Sequence, residues 1–279
     1  MTYRSLLVLL DNSATCAART HVAMRLARER DCHLVGLAPT GLIDIPAATE
    51  KTPALANYAA LAWGALRDQA EWATDRFRKE CRAAGLRSFE AVVDESDKAA
   101  SVVRHAHCSD LVVMSQAAGD AEHRADQAML EQVILQSARP TLVVPRANHL
   151  PPVGWTALVA WNDSREAARA LGDALPILVH SSTVELVQWK DVAAGEDAAL
   201  RSRLDAAQRW LMWHGVACDV NVEATALPLA GAILSRATDL RADLVVMGAF
   251  GRSRWAERVL GGATRSMLTE TTLPVLMSH

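Results

Sequence analysis

The chain has 279 residues, of which 51% are hydrophobic and 22% are charged, and its formal net charge is −3. This balance is typical of globular proteins, and the length suits two compact domains better than one. The small negative charge gives no electrostatic reason to expect a nucleic acid partner.

Along the first half, short apolar strands alternate with helical segments. We expect strands near residues 4–10, 33–38, 88–93, 110–115 and 141–145, and helices near residues 15–30, 57–84, 98–108 and 126–137. This alternation is typical of an open parallel sheet with helices on its faces. Such sheets bind ligands at the carboxyl ends of their strands.

The second half repeats the alternation. We expect strands near residues 156–161, 183–189, 217–223, 243–247 and 274–277, and helices near residues 164–178, 196–214, 228–240 and 263–271. An internal repeat supports this reading, because Asp110-Leu-Val-Val-Met114 recurs as Asp243-Leu-Val-Val-Met247. A Pro-Pro pair followed by Gly154 marks a linker. We therefore predict two domains, residues 1–146 and 151–279.

The sequence also bears on where the protein acts. Residues 1–11 contain a short apolar run with no signal-peptide cleavage site, and we expect no membrane span. The cysteines are scattered, odd in number and without C-x-x-C spacing: Cys16, Cys32, Cys81, Cys108 and Cys218. A reducing, cytoplasmic location is the expectation.

A glycine-rich segment follows the apolar run that ends at Met247. It contains Gly248, Gly251 and the pair Gly261-Gly262. Glycine allows backbone N–H groups to approach an anion closely, and the following helix supplies further donors at its N-terminus. The segment therefore predicts phosphate binding. Its spacing fits neither the P-loop nor the dinucleotide-binding Gly-x-Gly-x-x-Gly pattern.

This spacing resembles the Gly-x2-Gly-x9-Gly-Ser/Thr motif of ATP-binding universal stress proteins, except that Gly262 stands where the family has Ser or Thr. The resemblance covers nearly the whole chain, twice. It implies an α/β fold of two tandem five-stranded parallel-sheet domains, Rossmann-like and of the adenine nucleotide α-hydrolase-like type. It also implies that the domains pack through their last strands as an internal pseudo-dimer.

The resemblance further implies an ATP site in the second half, with Mg²⁺ held through the phosphates. Asn162 stands where the family has Asp near the adenine and ribose, Val187 or Trp189 reaches the pocket from the second strand, and Met247 lies beneath the base. The ribose and phosphates would be held by N–H groups in and after the glycine segment, around Gly248, Gly251, Arg252, Gly261, Gly262, Ala263 and Thr264.

Simpler interpretations stand beside these. Gly248 can be a glycine at which a helix approaches, Gly251 a turn residue, and Gly261-Gly262 the start of a helix. Trp161 and Trp189 suit a hydrophobic core better than a stacking face. His105 and His107 are two residues apart at a helix end and point apart, so we expect no metal site formed by protein ligands.

The first half lacks the glycine segment. After Met114 the chain reads Ser-Gln-Ala-Ala-Gly-Asp, and acids at Asp120, Glu122 and Asp126 would repel a polyphosphate. Asp11 remains at the end of the first strand. We expect a structural domain that binds no nucleotide.

Three functions compete. The resemblance favours a stress-related regulatory module that binds ATP, without catalytic residues, since the chain shows no nucleophile with a base. A slow ATPase or adenylating enzyme would need an acid, for which Asp163 is the weak candidate. A scaffold without ligand is the third. Protein partners are expected in a regulatory role, and either a monomer with an internal pseudo-dimer or a homodimer fits the sequence.

Overall fold

In the computed structural model the described residues are 2–41, 53–117, 124–146, 152–192, 198–251 and 262–279. The first half contains β1 (Ser5–Leu9), α1 (Cys16–Arg30), β2 (His33–Pro39), α2 (Pro53–Ala83), β3 (Phe89–Asp94), α3 (Lys98–Ala106), β4 (Leu111–Ser115), α4 (Arg124–Gln136) and β5 (Thr141–Val144). The second half contains β6 (Thr156–Ala160), α5 (Arg165–Leu178), β7 (Thr183–Asp191), α6 (Ala198–Trp213), β8 (Asp219–Thr225), α7 (Leu229–Leu240), β9 (Leu244–Gly248), α8 (Gly262–Glu270) and β10 (Val275–Ser278).

The predicted α/β alternation is confirmed in both halves. The largest displacement is at α2, which begins at Pro53 rather than at residue 57. The predicted boundary near Pro151 lies outside the described residues.

All ten strands form one sheet in the order β3-β2-β1-β4-β5-β10-β9-β6-β7-β8. Strands within each half are parallel, whereas β5 and β10 pair antiparallel, with Val143 opposite Val275 and Leu142 opposite Leu276. The central strands are continuous apolar runs because helices cover both sheet faces. The predicted packing of the halves through their last strands is confirmed.

Two hydrophobic cores lie on opposite faces of the sheet, and each extends through both halves. One core packs the sheet against α1, α2, α5 and α6. The other packs it against α3, α4, α7 and α8. None of the helices within the described ranges is both long and apolar enough to cross a membrane.

The repeated aspartate has the same structural role in each half. The Asp110 carboxylate accepts a hydrogen bond from the backbone N–H of Arg4, at 2.7 Å. The Asp243 carboxylate accepts from the N–H groups of Gly154 at 2.7 Å and Thr156 at 3.2 Å. Each aspartate therefore anchors the start of the first strand of its half to the start of the fourth strand.

Side chains support the central strand pair from both halves. The Tyr3 hydroxyl donates to the Asp173 carbonyl at 2.6 Å, and the Ser278 hydroxyl contacts the Asp173 carboxylate at 2.9 Å. Arg265 of α8 pairs with Glu131 of α4, with Nε 3.2 Å from Oε1. The contacts of Tyr3 and Arg265 thus join the two halves in addition to the backbone pairing of β5 with β10, whereas the bond between Ser278 and Asp173 lies within the second half.

A buried arginine joins the carboxyl ends of β1 and β4. Arg19 is 2% exposed, and its Nη2 lies 2.6 Å from Asp11 Oδ1. Its Nε donates to the Leu9 carbonyl at 2.6 Å and its Nη1 to the Ser115 hydroxyl at 3.0 Å. Burial raises the pKa of Asp11, but the charge of Arg19 and hydrogen bonds from Ser13 outweigh burial and hold that pKa below its usual value.

We expect Arg19→Met to lower the free energy of unfolding by about 3 kcal/mol, because it leaves Asp11 beside the core without its cation. The double variant Asp11→Asn/Arg19→Met loses less, since no unpaired charge remains. Urea denaturation measures both. Arg201→Ala, which removes the exposed pair with Asp205, is the control and changes stability by less than about 1 kcal/mol.

The same pair predicts a pH dependence. Because the folded pKa of Asp11 is lowered, the pair's stabilisation is present above the unfolded pKa and is lost as pH falls through the folded pKa. The difference in unfolding free energy between wild type and Arg19→Met should therefore shrink in acid. A difference that did not change on acidification would contradict this assignment.

Gly154 adopts a backbone conformation that other residues rarely adopt. Its φ is +84°, and a Cβ there would lie 2.2 Å from Ile177 Cγ2. Gly215 has a similar φ of +79°, but an added Cβ would meet nothing within 4 Å. A substitution at Gly215 therefore introduces backbone strain alone, whereas a substitution at Gly154 introduces both backbone strain and a steric clash.

Each Gly→Ala substitution should cost about 1–2 kcal/mol in backbone strain. Gly154→Ala should cost at least about 1 kcal/mol more than Gly215→Ala, because only Gly154 faces Ile177. Thermal and urea denaturation of both variants measure the difference. Equal losses would show that the contact with Ile177 relaxes without cost.

Candidate functional site

A cavity of about 430 Å³ lies at the carboxyl ends of four strands in the second half. Ala160 of β6, Gln188 of β7, Thr225 of β8 and Gly248 of β9 all line it. These strands are neighbours in the order β9-β6-β7-β8, so the cavity extends across roughly 14 Å of sheet edge. Its volume is in the range of small-molecule sites.

Several of the sequence-predicted residues meet at this cavity. Its lining includes Asn162, Trp189, Met247, Gly248, Gly251, Ala263 and Thr264. Val187 does not line the cavity. Its side chain is fully buried in the core, two residues before Trp189 on β7 and so further from the carboxyl end of the strand. Gly262 begins α8 without lining the cavity. Arg252 and Gly261 lie outside the described residues.

The cavity also has polar lining residues that the sequence did not single out. They are Ser164, Glu166, Gln188, Arg203 and Thr225. Each follows or ends a predicted strand or lies on the next helix, so a survey of polar residues at the strand ends would have found most of them. Trp161, expected in the core, is 8% exposed and lines the cavity as well.

The two described glycines of the loop lie against the first turn of α5. A Cβ at Gly248 would lie 2.6 Å from the backbone nitrogen of Ala167, and a Cβ at Gly251 would lie 2.6 Å from Glu166 Oε2. The backbone of α5 thus approaches too closely for any other residue at Gly248, whereas at Gly251 the neighbouring atom is the end of a flexible side chain. The simpler interpretation of Gly248, a glycine at which a helix approaches, therefore holds in this structure.

Asn162 shapes the turn between β6 and α5. Its Oδ1 accepts from the backbone N–H of Ser164 at 3.2 Å and from the Ser164 hydroxyl at 2.7 Å. The Ser164 hydroxyl oxygen in turn accepts from the N–H of Ala167 at 3.1 Å and caps α5. An aspartate would accept the same bonds, so the amide Nδ2 is what distinguishes Asn162 at this position.

A chain of polar contacts orients the indole of Trp189. Its Nε1 donates to Glu223 Oε2 at 3.0 Å, and Glu223 Oε1 lies 3.2 Å from Arg236 Nε. Arg236 also pairs with the buried Glu185 through two nitrogens. The hydrogen bond to Glu185 raises the pKa of Arg236. Trp189 therefore forms a fixed wall of the cavity.

Two other lining residues carry buried polar atoms without a hydrogen-bond partner among the described residues. They are Trp161 Nε1, a donor, and Gln188 Oε1, an acceptor. An unpaired buried polar atom costs about 1–3 kcal/mol. A ligand with a complementary acceptor and donor would offset that cost.

Charged lining residues of both signs are present in the described part of the cavity. Asp163 pairs with Arg203 of α6 at 3.2 Å, and both side chains are nearly half exposed. Glu166 lies deeper, with 11% of its side chain exposed, and pairs with the exposed Arg165 at 3.1 Å. Acids therefore outnumber cations among the described charged residues that line the cavity.

A buried arginine stands at the corresponding place in the first half. Alignment of β1 with β6 sets Asp11 against Asn162 and Arg19 against the buried Ala170. The Arg19 guanidinium lies between the ends of β1 and β4. Asp126 is exposed on α4, and residues 120 and 122 lie outside the described residues. The sequence reading did not identify this buried cation.

No group of three potential metal ligands occurs within the described ranges. His105 Nε2 lies 3.3 Å from Asp94, which also accepts from Ser101 and Arg104. Burial raises the pKa of Asp94, but hydrogen bonds from Ser101, Ser96 and Arg104 outweigh burial and hold that pKa below its usual value. His105 is therefore part of a structural network.

We expect Thr264→Val to destabilise the protein by about 1–3 kcal/mol, whereas Thr264→Ser should be nearly neutral. The Thr264 hydroxyl oxygen accepts from the backbone N–H of Phe250 at 3.0 Å and so joins the loop after β9 to α8. Valine leaves that N–H unpaired. Thermal denaturation measures the loss of stability. Faster hydrogen exchange of the Phe250 amide in the valine variant, but not in the serine variant, would show that the loss arises at this hydrogen bond.

Comparisons with known proteins place these features in context. A family model described as the universal stress protein family matches residues 156–279. No curated protein is significantly similar in sequence.

Solved structures match over nearly the full length. A universal stress protein from Archaeoglobus fulgidus DSM 4304 is 17% identical, with a TM-score of 0.75 over 98% of this chain and 95% of that one. A putative universal stress protein from Pseudomonas aeruginosa UCBPP-PA14 is 17% identical, with a TM-score of 0.59 over 99% and 93%. At these identities the likeness shows the fold, and it extends over both halves. Residues 156–279 of this chain thus match the universal stress protein family, and the whole chain has the tandem fold of its full-length structural neighbours.

Proposed function

We propose that the second-half cavity binds an adenine nucleotide, with ATP and Mg²⁺ as the expected ligand, and that binding regulates the protein. The observation that carries the proposal is the pair of unpaired polar atoms, Trp161 Nε1 and Gln188 Oε1, on residues that line the cavity. Adenine presents ring-nitrogen acceptors and an amino donor, which complement one donor and one acceptor. The lining residues therefore offer hydrogen-bonding groups of the kinds that an adenine base can pair with.

The order of the strands suggests how the ligand lies. The base belongs near the ends of β6 and β7, where Trp161, Gln188 and the fixed indole of Trp189 meet. Asn162 is placed to contact the ribose. The phosphates belong beside Gly251 and the start of α8, where backbone N–H groups and the helix dipole favour an anion.

The regulatory role rests on the match of residues 156–279 to the universal stress protein family and on the absence of catalytic chemistry from the described lining. Asp163, the weak candidate acid, is paired with Arg203 and partly exposed. The Ser164 hydroxyl caps α5 rather than contacting a base. We therefore place the protein among cytoplasmic stress-related regulators that change conformation or protein partners when nucleotide binds.

A scaffold without ligand is the second candidate. It is favoured by the glycine contacts with α5, which explain Gly248 and Gly251 without any nucleotide. The two candidates differ in a single measurable property, affinity for an adenine nucleotide.

Calorimetric titration of the full-length protein with ATP and Mg²⁺ tests the proposal, after denaturation and chromatography to detect copurified nucleotide. We expect micromolar binding, weakened roughly 2- to 10-fold in Gln188→Leu because one hydrogen bond to the ligand is lost. Arg201→Ala on the outer side of α6 is the control and should bind as wild type does. Absence of both binding and copurified nucleotide would favour the scaffold.

A further inference from the structure

Glu166 is the buried acid of the cavity, and the proposed function gives it no part. It lies in the first turn of α5 with its residue only 9% exposed. Its Oε2 lies 2.6 Å from where a Cβ of Gly251 would stand. The carboxylate therefore borders the glycine whose backbone would face the phosphates of a bound nucleotide.

A phosphate beside Gly251 would meet this carboxylate at close range and in a poorly solvated place. Repulsion between like charges at contact distance exceeds the gain from one helix N-terminus. Arg165 does not offset it well, because 79% of its side chain is exposed and solvent screens its charge. Each added phosphate should therefore weaken binding at this end of the cavity.

The base end of the cavity is unaffected by Glu166. Trp161, Gln188 and Trp189 lie on β7 or just after β6, whereas Glu166 faces the loop after β9. The charge pattern thus favours a ligand with a purine base and little or no phosphate.

Resting on the proposed adenine site, we propose that Glu166 is a specificity-determining residue. It makes the cavity prefer adenosine or a monophosphate to ATP when no divalent cation is present. The observation behind this proposal is that the Glu166 carboxylate lies close to Gly251, where a cavity that favoured a triphosphate would have no buried acid.

The test compares adenosine, AMP and ATP by calorimetry in EDTA, for wild type, Glu166→Gln and Glu29→Gln. Glutamine keeps the shape of residue 166 and removes its charge, and Glu29→Gln makes the same charge change on the first-half helix α1. We expect Glu166→Gln to raise the ratio of ATP to adenosine affinity at least about tenfold, with adenosine affinity unchanged and Glu29→Gln without effect. Circular dichroism and urea denaturation confirm that each variant is folded.

Two results would overturn the proposal without rejecting the adenine site. In the first, ATP binds wild type as tightly as adenosine does, and Glu166→Gln leaves both affinities unchanged. In the second, a parallel titration with Mg²⁺ shows that Glu166→Gln weakens ATP binding, which would make Glu166 a cation ligand. Failure of adenosine, AMP and ATP to bind any of the three proteins would instead reject the adenine site itself, and the specificity role with it.

Discussion

The antiparallel pairing of β5 with β10 is the contact on which the rest of the architecture depends. Each half is an open parallel sheet whose last strand would otherwise leave an unpaired edge. Pairing those edges turns two five-stranded sheets into one of ten strands and lets both hydrophobic cores run through the molecule. Tyr3, Asp173 and Ser278 add side-chain contacts across the same region. The halves are therefore parts of one folded body rather than independent units.

The two halves differ in the residues that lie at the carboxyl end of their first strands. In the first half the end of β1 is closed by Arg19, whose guanidinium contacts Asp11, Leu9 and Ser115. In the second half the buried Ala170 takes the place of that arginine, and the cavity lies at the strand ends of that half. Equivalent positions of the two halves therefore hold a long cation in one case and a small apolar residue in the other.

The glycine segment shows how one sequence signal can serve two purposes. Gly248 is needed because the backbone of the first turn of α5 approaches it closely, and Gly251 lies against the end of the Glu166 side chain. The same absence of side chains exposes backbone N–H groups to a ligand. A phosphate site and tight helix packing are therefore compatible readings of the same residues. Glu166, which causes part of that packing, is also the residue that limits the charge a ligand can bring.

The sequence by itself determined the alternation of strands and helices, the internal repeat at Asp110 and Asp243, and the last-strand pairing through family resemblance. These are properties of local periodicity and short motifs, which report burial and backbone conformation directly. It also identified Asn162, Trp189, Met247, Gly248 and Gly251 as neighbours at one sheet edge.

Only the tertiary structure decided that Arg19 joins the ends of β1 and β4, that Val187 is buried in the core, and that Glu166 faces Gly251. Each of these depends on which side chains from distant segments meet when helices pack on the sheet, and no pattern within a single segment encodes that meeting.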